Sequence, residues 1–287
     1  MKAKVITGVL AGLFGITMLC LQFTPAFPVA IAFFTFMANY ELLHTAQVKN
    51  KGIYILTSVP AALMPFVLDY DLMRFLPFSP IILLLLYTFV LCLMMLKSYD
   101  TTRFEHVSMA LVSSLLIPYL ISLLIEIRDM FMDVYPRSTC GYLVLFILLC
   151  AWITDAMAYF VGSNLGKHKM SPKISPKKSW EGAVGGVVLT AVVNLIVWGV
   201  YYLLYRLGCI NKLMVPLWIV PIVSVVLSVV SMLGDLTASA IKRNYGVKDY
   251  GKIMGQGNGG VMDRFDSAVF VIGGMYVFLT VYKLIAM

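Results

Sequence analysis

The chain has 287 residues, 61% of them hydrophobic and only 13% charged, with a formal net charge of +8. A soluble domain of this length needs a far more charged exterior, so a water-soluble globular protein is excluded. The positive balance comes without any basic, aromatic-studded soluble segment, so no nucleic-acid partner is expected.

Apolar runs of about twenty residues recur from end to end, each long enough to cross a hydrocarbon layer about 30 Å thick. Lipid offers the backbone no hydrogen-bond partner, so these runs are expected to be helices. The expected fold class is therefore all-α: a polytopic integral membrane protein with about nine transmembrane helices. The first two, 4–23 and 26–43, are parted only by Thr24, Pro25 and their neighbours. Lys2 and Lys4 precede the first, as in a signal peptide, but its apolar stretch is long and no small-residue cleavage site follows, so it is read as a helix. Three plain apolar spans follow at 53–69, 79–97 and 106–125. Residues 1–140 thus form one region of N-terminal transmembrane helices.

Residues 141–287 form the second region, which gathers the polar chemistry. The span 141–162 carries Asp155 in AWITDAMAYFVG, and the loop after it contains SPKISPKKSWEG. Pro172 and Pro176 stiffen that loop, and Ser179 followed by Glu181 and Gly182 reads as a helix start. The span 182–205 opens with Gly182 and Gly186, a four-residue spacing that lets helices approach closely, as do Gly8 and Gly12 in the first span. Asp235 lies near the end of the span 215–241, in SMLGDLTAS. The loop 242–265 then brings Lys242, Arg243, Lys248, Lys252 and Arg264 beside Asp249 and Asp263, and Asp266 opens the last span, 266–286.

Lysine and arginine set the expected orientation. With nine spans, one side carries 16 of the 22 basic residues and the other side six. The positive-inside rule puts the rich side in the cytoplasm, with the N-terminus inside and the C-terminus outside. Both basic loops, 163–181 and 242–265, then face the cytoplasm together. The absence of soluble extensions points to a cell inner membrane. The five cysteines show no metal-type spacing, and His44, His106 and His168 are scattered, so neither a disulfide framework nor a zinc site is expected.

Four carboxylates are candidates for chemistry: Asp155, Asp235, Asp263 and Asp266. A charge at membrane depth costs about 2.5–3.5 kcal/mol on insertion scales, so such residues normally face an interior site. The three-residue spacing of Asp263 and Asp266 would put both on one helical face. Static ion pairs with nearby lysines are the alternative reading. Basic side chains and glycine amides suit phosphate oxygens, and carboxylates suit a hard cation such as magnesium. Lys177 and Lys178 would stand beside a helix N-terminus, where an anion is also favoured. Gly255, Gly257 and Gly260 form a G-x-G-x-x-G pattern, but without a preceding strand it is no dinucleotide fingerprint.

The run SAIKR-x4-KDYG…GG-x-MDRFDS, preceded in order by WITDAMAYFVG, SPKKSWEG and GDLTASAIKR, resembles the signature of the phosphatidate cytidylyltransferase family. The resemblance covers most of residues 141–287 as motifs and the rest only as a set of membrane helices. It implies transfer of a cytidylyl group from CTP to phosphatidic acid, giving CDP-diacylglycerol and pyrophosphate for phospholipid biosynthesis. It implies magnesium, with a second cation left open, and leaves a homodimer open. By the same resemblance, Asp235 and Asp263 hold the metal and Asp266 supports them. Lys178 joins these three as a catalytic candidate. Lys177, Lys178, Ser179, Lys242, Arg243, Lys248, Asn258, Gly259, Gly260 and Arg264 are expected to bind substrate, and Asp155 to line the cavity.

One departure stands out. The family reads P-G-H-G-G before D-R-x-D, whereas this chain has Gly255-Gln256-Gly257-Asn258-Gly259-Gly260, one residue longer and with Asn258 in place of histidine. Asparagine can hydrogen-bond phosphate but carries no proton charge at neutral pH. Two other activities fit parts of the pattern: a CTP-dependent polyprenol or lipid kinase, and an ion-coupled secondary transporter. A transporter would be expected to carry matching polar breaks in both halves, and here the polar residues crowd into one.

Overall fold

The computed structural model describes residues 15, 17–75, 77, 79–212, 215–251 and 259–286. Among them, eight helices are long and apolar enough to cross a membrane. They are α1 (Ala26–Thr45), α2 (Lys51–Asp69), α3 (Pro80–Lys97), α4 (Phe104–Asp129), α5 (Arg137–Leu165), α6 (Trp180–Arg206), α7 (Ile219–Asn244) and α8 (Ala268–Ala286). They match eight of the expected spans. The ninth, 4–23, falls mostly outside the described residues, and Gly8 and Gly12 wholly so. The helical expectation holds apart from a two-stranded antiparallel ribbon, β1 (Lys169–Ser171) and β2 (Ser175–Ser179), in what the sequence presents as a loop.

The chain divides into two compact units, Met1–Glu126 with Tyr245–Arg264, and Ile127–Asn244 with Phe265–Met287. In the first, Leu43, Ile53, Leu91, Val107 and Ala110 form a closely packed apolar cluster. Helix α3 buries only Leu91 and turns Ile81, Leu85, Leu86 and Phe89 outward, a surface suited to lipid rather than water. Helix α2 contains Pro60 and Pro65. Pro65 has no N–H to give to the Ala61 carbonyl, which would cost several kcal/mol if left unpaired in lipid. Thr35 of α1 takes up that carbonyl, its Oγ1 lying 2.7 Å from Ala61 O. Asn39 extends the link, donating to Thr57 Oγ1 at 3.2 Å and accepting from Ser113 at 2.8 Å. Three helices are thus joined by buried side chains that each find a partner.

In the second unit α5, α6, α7 and α8 pack together. Small residues let α5 and α6 come close: a Cβ at Gly182 would lie 2.6 Å from Ala158 O, and one at Gly186 2.9 Å from the Ala158 Cβ. The close approach read from the Gly182–Gly186 spacing is therefore real. A polar line runs between the helices, with Thr154 Oγ1 at 3.1 Å from Thr190 Oγ1 and 2.9 Å from Ser228 Oγ. Asn194 donates to Ser224 Oγ at 3.0 Å. Hydroxyls of this kind cost little to insert because they can also bond their own helix, as Thr154 does to Cys150 O at 2.6 Å.

Candidate active site

Ser179 ends β2 and caps α6, its Oγ accepting from Gly182 N at 3.2 Å, so the expected helix start is found there. Successive residues of a strand point to opposite faces. Just before the cap, this alternation leaves Lys177 exposed and turns Lys178 inward. Lys178 Nζ lies 2.5 Å from Asp235 Oδ2 on α7, an ion pair by distance that lacks the angles of a directed hydrogen bond. Only 24% and 23% of the two side chains remain exposed.

Helix periodicity explains the neighbouring partners. Asp235, Ser239 and Lys242 recur at i, i+4 and i+7, on one face of α7. Ser239 Oγ donates to Asp235 Oδ1 at 3.4 Å. Lys242, expected in a loop, is instead a buried residue of the last turn of α7, with Nζ 3.3 Å from Asp266 Oδ2. Asp266 is itself buried, and its Oδ1 accepts from Ser267 N at 2.9 Å. Ser267 Oγ donates to Asp155 Oδ2 on α5 at 2.7 Å. The three carboxylates Asp155, Asp235 and Asp266 are near enough to feel one another's charge, and Lys178 also acts on Asp155. Three acidic groups thus share two buried or half-buried lysines among apolar helices.

Arg243 is exposed on the next position of α7, and its Nε donates to Ile174 O of the ribbon turn at 3.3 Å. That bond ties the ribbon, and with it Lys177 and Lys178, to the end of α7.

The first unit holds Asp263. Its Oδ2 accepts from Tyr250 N and from Gly260 N, both at 2.9 Å. Gly259 adopts a φ of 75°, in the left-handed region that favours glycine, and a Cβ there would lie 3.1 Å from Asp263. The helical turn covers Met262–Phe265, and Asp266 follows it in the turn that leads into α8. Each carboxylate has its own partners. Lys248 and Arg264 are exposed, and Asn258 lies outside the described residues.

Two residues escape the sequence reading. Ser267, partner of Asp155, carries no signal beyond its place in the motif. Glu41 carries a clear one: a carboxylate inside the apolar run 26–43. It is 1% exposed and accepts from Val261 N at 2.9 Å and Met262 N at 2.8 Å.

Among the described residues, no three His, Cys, Asp or Glu side chains form a ready-made metal cage. Magnesium rarely needs one, because it is commonly held by one or two carboxylates together with substrate phosphates and waters. The hard oxygen donors of Asp235 and Asp266 fit that mode of binding.

A sequence profile of the cytidylyltransferase family matches residues 2–282. The chain is 32% identical over 291 residues to the phosphatidate cytidylyltransferase of Bacillus subtilis (strain 168), covering 99% of both proteins. Over 143 residues it is 40% identical to the phosphatidate cytidylyltransferase of Staphylococcus saprophyticus, and 38% identical to that of Staphylococcus haemolyticus. Those two alignments each cover 50% of this chain and 51% of the relative.

Proposed function

Because the chain belongs to the cytidylyltransferase family, we propose that it transfers a cytidylyl group from CTP to phosphatidic acid, releasing CDP-diacylglycerol and pyrophosphate. The observation that carries this reading is the sharing of Lys178 and Lys242 among Asp155, Asp235 and Asp266 within a bundle of apolar helices. Charged groups at that depth are expensive and call for a polar ligand.

In this reaction a phosphate oxygen of phosphatidic acid attacks the α-phosphorus of CTP. The bond from that phosphorus to the bridging oxygen breaks, and pyrophosphate leaves with the electron pair. Both reactants are anionic, so the site must position them and offset their repulsion. Lys178 and Lys242 supply positive charge that can turn from the carboxylates to incoming phosphate oxygens. Lys177, Arg243, Lys248 and Arg264 are exposed cations suited to guiding the triphosphate, with the two arginines able to bind two oxygens at once. Gly259, Gly260 and Ser179 are buried, so a role for them in substrate binding rests on the sequence motif, as does that of the neutral amide of Asn258. Asp235 and Asp266 would hold magnesium, joined by Asp263 on the strength of the sequence motif. When bound, that ion supplies charge neutralisation on the triphosphate.

The basic loops support a cytoplasmic active site, an N-terminus inside and a C-terminus outside. A homodimer, which the family resemblance leaves open, belongs to the same proposal.

The test is product analysis with labelled CTP and phosphatidic acid, using purified protein in detergent. CDP-lipid with pyrophosphate is expected, and Asp235→Asn should lower the rate at least about a hundredfold, as loss of an electrostatic catalytic group does. Lipid phosphate with CDP would instead identify a lipid kinase and overturn the proposal.

A further inference from the structure

We infer that Glu41, on α1, is a positioning residue for the reaction: it clamps the backbone at Val261 and Met262 and so fixes the turn that presents Asp263 and Arg264. Each carboxylate oxygen takes one amide, Oε1 from Val261 and Oε2 from Met262. Among the described residues Glu41 forms no ion pair, and these two amides are the hydrogen-bond partners of its carboxyl group. A buried carboxylate at this depth is costly, and hydrogen bonds from amides are what retain it.

The surrounding backbone is shaped to that carboxylate. A Cβ added at Gly251 would come 2.5 Å from Glu41 Oε1, and one at Gly260 would overlap the same atom. Two glycines of the motif therefore lie flat against Glu41, which gives them a packing reason besides any contact with phosphate. One turn further along α1, Thr45 Oγ1 donates to Tyr250 O at 3.1 Å. Tyr250 N and Gly260 N both donate to Asp263 Oδ2. Helix α1 thus holds both ends of the glycine segment, and those ends hold Asp263. The N-terminal helices, which carry none of the family motifs, supply this clamp.

The inference rests on the assignment of Asp263 to the reaction, and the test separates the two. Glu41→Gln keeps the shape but turns one acceptor into an NH2 group facing an N–H. Amide hydrogen exchange of the peptide covering residues 259–266 is measured beside kinetics in detergent. Exchange at Val261 and Met262 should quicken about tenfold or more, in line with the loss of a buried hydrogen bond. The kcat should fall by a similar factor with the KM for CTP within about twofold of wild type. A variant that merely loosens the fold would instead lower the yield of active protein and leave kcat per active site unchanged. If Glu41→Gln does not fold, Glu41→Asp and Thr45→Val take its place, with smaller changes in the same direction. Unchanged exchange overturns the clamp. Faster exchange with unchanged kcat overturns the positioning role. Full activity of Asp263→Asn, with exchange still quickened by Glu41→Gln, would leave the clamp intact and remove Asp263 from the reaction.

Discussion

Lys178 is the side chain whose loss should separate a catalytic cation from a structural one. At 2.5 Å from Asp235, an effective dielectric constant of about 20 gives a Coulomb attraction of about 6–7 kcal/mol. Solvent reaches roughly a quarter of each side chain. Screening and the cost of burying the ammonium leave a net of about 2–3 kcal/mol. Lys178→Met removes that charge while keeping most of the apolar stem, so Asp155, Asp235 and Asp266 are left with Lys242 as the cation paired to one of them. If the same interaction is passed to phosphate oxygens in the transition state, kcat/KM for CTP should fall about 30- to 150-fold. The half-saturating magnesium concentration should move the other way, downward, because a competing positive charge has gone. Labelled CTP and phosphatidic acid in mixed micelles, with magnesium titrated in both proteins, give both quantities. A variant within about threefold of wild type in kcat/KM, with its magnesium requirement unmoved, would refute the reasoning and make the lysine a static neutraliser.

The remaining predictions concern the scaffold. Thr35→Val should lower the thermal midpoint, since it strands the Ala61 carbonyl that Pro65 leaves without a donor; the loss should be about 1–3 kcal/mol. Adding Pro65→Ala should recover most of it, and a double variant no more stable than Thr35→Val alone would disprove the link. Gly182→Ala should sharply reduce folded protein, because the new methyl meets the Ala158 carbonyl and the Gly162 backbone of α5. Gly199→Ala on the same helix meets nothing within 4 Å and should be neutral or slightly stabilising. Equal yields of the two variants by size-exclusion chromatography would contradict the close α5–α6 contact.

Much of this protein was determined by the sequence alone, and the reason is the solvent. Lipid leaves a backbone no choice but to bond itself, so eight of the nine expected spans appear as helices with ends shifted by only a few residues. The same cost makes Asp155 and Asp235 conspicuous in apolar runs, and the helix start at Ser179 follows from local chemistry. The ribbon 169–179 was not legible, because strands of three and five residues are too short to show a period. Glu41 bore the same mark as Asp155 but stood alone in its half of the chain, with its partners 220 and 221 residues away. Only the tertiary structure decided which lysine meets which carboxylate: Lys178 with Asp235, and Lys242 with Asp266. Those pairings depend on how each helix is rotated and how closely glycine lets its neighbours approach, and no local stretch of residues encodes that.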